Sequence, residues 1–143
     1  MKRLRKLLSR AKKNQKGFTL VELIVVLVII SILAAILVPS LTKWIDKANE
    51  KQVVVDARTV YLAAQTVASE QYGMGTPVGD ELVMGANAGD EGAGHEATDL
   101  ADLDPAGYEA VFTIVDNKVA SGTYTADRFI ATLSDGKWTV TAR

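Results

Sequence analysis

Apolar and polar positions divide this chain into stretches of different character. Between Leu23 and Val38 the only polar residue is Ser31. Counted from Phe18, the run reaches the ~20 residues that an α-helix needs to cross the hydrocarbon core of a membrane. A helix this apolar on every side would need a much larger protein around it to be a buried core helix. We therefore predict that it inserts into a membrane.

After Pro39 the pattern becomes amphipathic. Apolar residues recur every three or four positions, which places them on one face of a helix: Val53, Ala57, Val60, Ala64 and Val67. The pattern continues to Tyr72, and Gly73 follows at a usual place for a C-terminal cap. The sequence thus predicts a single helix over residues 18–72, apolar all round only in its first part.

The C-terminal stretch alternates with a period of two and predicts β-strands. Asp135-Gly136 is a typical two-residue hairpin turn. With Ser134 opposite Lys137, three pairs fall on one face of this hairpin: Leu133–Trp138, Ala131–Val140 and Phe129–Ala142. Ala110, Phe112 and Ile114 predict an earlier strand that ends at Asp116-Asn117, and a weaker strand is expected around residues 119–124. The predicted fold class is α+β, with an antiparallel sheet over residues 107–143 packed on the helix of residues 40–72.

The glycine-rich and acidic segment 73–106 has few apolar anchors and predicts a long surface loop, with one helical turn around residues 96–103. Asp102-x-Asp104-x-x-Gly107 begins like a calcium-binding loop. Ala106 and Thr113, however, stand where that loop needs ligands. We therefore expect a solvated acidic loop and no metal site.

The N-terminal motif is specific. Gly17-Phe18-Thr19-Leu20-Val21-Glu22, preceded by lysines and followed by the apolar run, resembles the class III signal peptide of type IV pilins and pseudopilins. The resemblance covers about residues 1–40. It implies that a prepilin peptidase cuts between Gly17 and Phe18, that Phe18 is then N-methylated, and that Glu22 serves assembly. An ordinary signal peptide would need a shorter apolar core and a small-x-small cleavage site, which is missing at Leu37-Val38-Pro39-Ser40.

Charge supports this topology. Eight of the sixteen basic residues precede Gly17, where there is no acid, so eight bases remain against seventeen acids and the cleaved chain has a net charge near −9. Positive charge before an apolar segment keeps that end in the cytoplasm. We expect residues 1–17 to be a cytoplasmic leader, residues 18–39 a transmembrane or filament-core helix, and residues 40–143 an extracytoplasmic body. The excess of acids argues against nucleic-acid binding by the subunit alone.

There is no cysteine, so the body cannot rely on disulfides. In this respect the chain resembles the cysteine-free pilins of Gram-positive bacteria. No catalytic set of residues and no cofactor-binding motif is present, and His95 is the only histidine. We predict that the protein is not an enzyme.

Two residues in the apolar segment need an explanation. Pro39 lacks an N–H group and is expected to kink the helix, either simply at the membrane exit or as a hinge. Glu22 is costly within an apolar segment. It could merely stabilise the positive end of the helix. The resemblance implies instead that it neutralises the Phe18 amine of a neighbouring subunit.

Three functions stay open at this stage. The first is a structural subunit of a helical pilus, assembled with other pilins by a membrane platform protein and an ATPase. The second is a pseudopilin of a type II secretion or competence machine. The third is a membrane-tethered binding module. Fibres sheared from the cells would favour the first function. A defect in secretion or DNA uptake without fibres would favour the second, and unprocessed protein in the membrane would favour the third.

Overall fold

The structure is a computed structural model and describes residues 17–143. The predicted leader, residues 1–16, lies outside the described residues. The chain divides into two compact units, one ending at Trp44 and the other comprising Ile45–Arg143. We describe each unit by itself.

Helix α1, Leu20–Gly73, is 54 residues long and contributes to both units. In the first unit it carries the apolar run, and every residue from Gly17 to Trp44 is exposed. In the second unit it has one buried face, made of small and β-branched residues: Val53, Ala57, Val60, Ala63, Ala64, Val67 and Ala68. The five residues that the periodicity predicts for this face are all among them.

The end of α1 is capped by Gly75 and not by Gly73 as the sequence suggests. Gly73 is still helical, whereas Gly75 has a positive φ of 78°. The Thr76 N–H donates to the Gln71 carbonyl at 3.0 Å and the Gly75 N–H to the Tyr72 carbonyl at 3.1 Å. This pair of bonds is the Schellman motif, in which the left-handed residue lies one position beyond the cap.

Five antiparallel strands follow in the spatial order β1-β2-β3-β4-β5. Their bounds are β1 Glu81–Gly85, β2 Tyr108–Val115, β3 Lys118–Ala126, β4 Phe129–Ser134 and β5 Lys137–Ala142, and helix α2, Ala93–Ala101, separates β1 from β2. The predicted hairpin is confirmed in its register, since Leu133 pairs with Trp138, Ala131 with Val140 and Phe129 with Ala142. The α+β architecture is confirmed as well.

The predicted loop over residues 73–106 is wrong at β1. Glu81–Gly85 pairs with β2 along its whole length, and Leu82 and Met84 are buried. The sheet therefore begins well before residue 107. A strand of only five residues between glycine-rich segments gives too short an alternation to be recognised alone, and its stability comes from its long-range pairing.

The core of the second unit lies between the buried face of α1 and one face of the sheet. Tyr61 of α1 meets Phe112 and Trp138 edge to face, with ring centroids 6.3 and 6.4 Å apart. The Gln65 amide ties α1 to the turn between β2 and β3. Its nitrogen donates to the Asn117 carbonyl at 3.3 Å, and its oxygen accepts the Val119 N–H at 2.9 Å. Gly122 leaves room for Phe112, because a Cβ there would lie 2.2 Å from the Phe112 ring.

Candidate cleavage and assembly site

The start of α1 is closed by a reciprocal cap. Thr19 immediately precedes the helix. Its hydroxyl accepts the Glu22 N–H at 3.2 Å, and the Glu22 carboxylate accepts the Thr19 N–H at 3.4 Å. This arrangement is a capping box, in which a threonine at the N-cap and a glutamate three residues later each satisfy a backbone donor of the other. The sequence analysis gave stabilisation of the helix end as one of two explanations for Glu22 but missed Thr19, although the Thr-x-x-Glu spacing was the available signal.

Gly17 and Phe18 lie just before this cap. Both are non-helical and exposed, and Phe18 exposes 77% of its surface. A protease binds its substrate more readily in an extended, accessible segment than in a helix, because the peptide must fit into the enzyme's cleft. The helix start thus leaves the predicted scissile bond outside the hydrogen-bonded ladder.

Glu22 is the only charged residue between Gly17 and Thr42. Within residues 17–143 no basic side chain forms a salt bridge with it. Its bond to the Thr19 N–H is long for a charge-assisted hydrogen bond, which is usually 2.7–2.9 Å. The carboxylate therefore retains most of its capacity to accept bonds from another group.

The helix around Glu22 presents an apolar surface on all sides. Its most apolar 18-residue window has a mean hydropathy of 3.2, and none of that window is buried. By length and composition this helix could cross a membrane, although a signal sequence would meet the same two criteria. Because so much apolar surface is unfavourable in water, this segment needs lipid or other protein around it.

Ser31 and Pro39 differ in what they do to the hydrogen bonds of this segment. The Ser31 hydroxyl donates to the Leu27 carbonyl at 2.7 Å, so this polar side chain is satisfied within its own helix. Pro39 lies inside α1 and cannot donate to the carbonyl of Ala35, which loses its usual partner. A kink at Pro39 stays a prediction.

The other candidate residues do not form a chemical site. Asp102 ends α2 in the left-handed conformation, and the Asp104 carboxylate accepts the Ala106 N–H at 3.1 Å. Their side chains thus belong to local turns. His95 lies 3.6 Å from Asp99 on the exposed side of α2. Among the described residues no group of three His, Cys, Asp or Glu side chains could hold a metal ion.

A long helix with a bare apolar first part, a capped carboxylate at its start and a small antiparallel meander on its second part define a pilin-like α+β protein. Comparison with known proteins agrees with this class. Residues 12–38 match the family model of the prokaryotic N-terminal methylation motif. Residues 12–38 thus carry the prokaryotic N-terminal methylation motif, and the resemblance noted in the sequence is confirmed.

Several curated proteins match a part of this chain. The type IV major pilin protein PilA of Myxococcus xanthus is 35% identical over 63 residues, which cover 44% of this chain and 29% of the relative. The type II secretion system core protein G of Klebsiella michiganensis is 49% identical over 45 residues, 32% of each chain. The competence protein ComGC of Streptococcus pneumoniae is 39% identical over 71 residues, 50% of this chain and 64% of the relative.

The matches thus span about a third of the length of the first two relatives and just under two thirds of the third. No solved structure matches the chain significantly. By their names, these relatives belong to a type IV pilus, a type II secretion system and a competence system. They do not decide among pilus, secretion and competence.

Proposed function

We propose that this protein is a prepilin, the structural subunit of a type IV pilus. A prepilin peptidase cuts between Gly17 and Phe18, and the new N-terminus at Phe18 is methylated. The processed subunits then join other pilins in a helical extracellular filament. The protein itself performs no catalysis and needs no cofactor.

One observation carries the proposal: Glu22, the only charged residue in the exposed apolar part of α1, lies one helical turn from the predicted cleavage point. Glu22 is engaged by a single long bond to the Thr19 N–H, at 3.4 Å. Cleavage creates a positive amine at Phe18. In a bundle of apolar helices, where an unpaired charge is expensive, the Glu22 carboxylate of a neighbouring subunit is the available counter-charge.

The partners and location follow from this role. Before assembly the apolar part of α1 anchors the subunit in the cell membrane, with the basic leader in the cytoplasm and the body outside. Extraction from the membrane requires work, for which we propose a platform protein of the inner membrane and an assembly ATPase. After assembly the apolar helices are buried in the filament, which replaces lipid as their surroundings.

A pseudopilin of a type II secretion or competence machine is the second candidate. The match to the Streptococcus pneumoniae competence protein supports it, because it extends over 71 residues and covers 64% of that relative. Long fibres sheared from the cells would support the pilus. Fibre-free cells that lose secretion or DNA uptake when the gene is deleted would support the pseudopilin.

The decisive test of processing is intact-mass analysis of the protein from its native cells. We expect the loss of residues 1–17 and the gain of one methyl group. A Gly17→Leu variant should keep its leader, since the residue before the cut is altered, and a Gly79→Leu variant in an open part of the body serves as the control. A mature N-terminus beyond Val38 would instead identify an ordinary signal peptide and would overturn the proposal.

A further inference from the structure

The two edges of the sheet differ in whether another element covers them. At β1, the Gly85 N–H donates to the buried Thr98 hydroxyl of α2 at 3.0 Å. Gly94 of α2 approaches the Val83 carbonyl so closely that a Cβ would lie 2.2 Å from its oxygen. Helix α2 thus covers this edge. At β5 no other strand or helix among the described residues hydrogen-bonds to the outer side.

The register shows which backbone groups of β5 are unpaired. The Arg143 N–H donates to the Arg128 carbonyl, and the two-residue turn at Asp135-Gly136 closes on Ser134 and Lys137. Hydrogen-bonded and non-hydrogen-bonded pairs alternate along an antiparallel ladder. The residues whose N–H and C=O groups face away from β4 are therefore Trp138, Val140 and Ala142.

Such an edge is a template for another strand, and proteins usually protect it by a proline, a bulge, a covering element, edge lysines or inward-pointing charges. Of these devices β5 has only Lys137, at its first position. β5, with the sequence Lys-Trp-Thr-Val-Thr-Ala, has no proline, and its pairing with β4 runs without a bulge. Trp138 and Val140 turn toward the core while Thr139 and Thr141 are exposed. The strand is thus regular, rich in residues that favour β-structure and open on one side.

We propose that β5 pairs antiparallel with β5 of a second copy of this chain, about a two-fold axis at Thr139. Within residues 17–143 a second copy offers no other free sheet edge, since its β1 is covered by α2. This pairing places the unpaired groups of Trp138 opposite those of Val140 in the partner, and both side chains lie on the core side of the extended sheet. The inference does not depend on the filament function.

Charge selects the register. An axis at Thr139 brings Asp135 of one copy level with Arg143 of the other, and Lys137 opposite Thr141. Moving the axis to Val140 would add two backbone hydrogen bonds but would place Lys137 directly opposite Arg143, in the closely spaced kind of pair, on both sides of the axis. Like charges directly opposite each other destabilise a sheet, and opposite charges stabilise it.

The absence of cysteine in the chain allows a clean crosslinking test on the full-length protein in mild detergent. In a non-hydrogen-bonded antiparallel pair the Cα atoms are ~4.5 Å apart, within the range of a disulfide. We expect Thr139→Cys to form a disulfide-linked dimer under mild oxidation roughly tenfold faster than Thr123→Cys. Thr123 is the matched control because it is an exposed threonine in β3, an interior strand of the same sheet.

Two further variants test the pairing itself within the Thr139→Cys background. Val140→Pro removes a donor that faces away from β4, so the internal hairpin should persist while crosslinking falls to the Thr123→Cys rate. Arg143 follows the last residue of β5 and is exposed, so the Arg143→Glu substitution should leave the sheet folded. It should slow crosslinking roughly threefold to thirtyfold by placing two acids level with each other. Circular dichroism of each variant checks that its strands are kept.

Three results would overturn the proposal. The first is a Thr139→Cys rate no higher than that of Thr123→Cys. The second is faster crosslinking by Val140→Cys or Thr141→Cys, which would mean a different register. The third is an unchanged rate in the Arg143→Glu variant.

Discussion

The role of Glu22 can be resolved by a substitution that separates its two functions. The structure gives it a part in the helix cap, through reciprocal bonds with Thr19 at 3.2 and 3.4 Å, whereas the proposed assembly needs its negative charge. Glutamine at the same position can still complete a capping box but carries no charge. Glu22→Gln therefore removes the charge and keeps the cap.

The two effects differ in size. Losing an N-cap interaction costs about 0.5–2 kcal/mol. The lower end applies here, because both bonds are exposed and long and the helix continues for 54 residues. Leaving one partner of a buried ion pair alone costs about 3–5 kcal/mol. That larger cost recurs at each added subunit, so it would stop assembly, whereas the cap alone would not.

We therefore expect Glu22→Gln to be processed normally and to form no fibres, as the sole copy in its native cells. The matched control is Thr19→Ala, which breaks the cap from the other side and leaves the carboxylate intact. It should be processed and should assemble. Processing is measured by intact mass, and assembly by electron microscopy and immunoblotting of sheared fibres.

The opposite pattern would refute this reasoning. Normal fibres from processed Glu22→Gln protein, together with loss of fibres in Thr19→Ala, would show that the capping box is what assembly requires. If either variant were not processed, its lack of fibres would reflect failed cleavage. That variant would then give no support to the claim that assembly needs the negative charge of Glu22.

Two further predictions concern the body. Gly122→Ala should lower the free energy of unfolding by about 1–3 kcal/mol, since its Cβ would lie 2.2 Å from the Phe112 ring. Gly79→Ala, which has open space around it, should be nearly neutral in the same thermal melt followed by circular dichroism. Burial raises the pKa of both Tyr108 and Tyr124, and the nearby Asp56 carboxylate adds to the rise at Tyr124. The folded state thus holds these protons more tightly than the unfolded state, so stability should fall as pH rises above about 10. Absorbance near 295 nm should show two tyrosines titrating only with unfolding, and complete ionisation in the folded protein would contradict this.

Much of the fold could be predicted where a pattern is local. The buried face of α1 follows from a repeat over several turns, and the β4–β5 register follows from a two-residue turn and matching alternation on both sides. Asp116 and Asn117, both with positive φ, form the same kind of turn between β2 and β3. These elements are specified by residues close to one another in sequence.

The parts that were missed depend on contacts distant in sequence. β1 is a strand because its five residues pair with residues of β2 that lie 24 (Gly85–Glu109) to 32 (Glu81–Thr113) positions further along the chain. The cover that α2 gives to the β1 edge depends on Thr98 and Gly94, and neither residue carries a recognisable signal for that contact. The asymmetry between a covered and an open edge, on which the proposed dimer rests, is therefore visible only in three dimensions.

The N-terminal site shows a different limit. Its residues could be found from the Gly-Phe junction and the isolated carboxylate, yet the bond between Glu22 and Thr19 changes what the glutamate must do. Before cleavage the carboxylate has a partner within its own chain. In the proposed assembly, the Phe18 amine of a neighbouring subunit would compete for it after cleavage. Because a charged partner offers more than a single long bond to a neutral N–H, the carboxylate can exchange the cap for the ion pair at little cost. A weak cap at this position thus gives Glu22 a partner before assembly and would leave it available for the proposed ion pair.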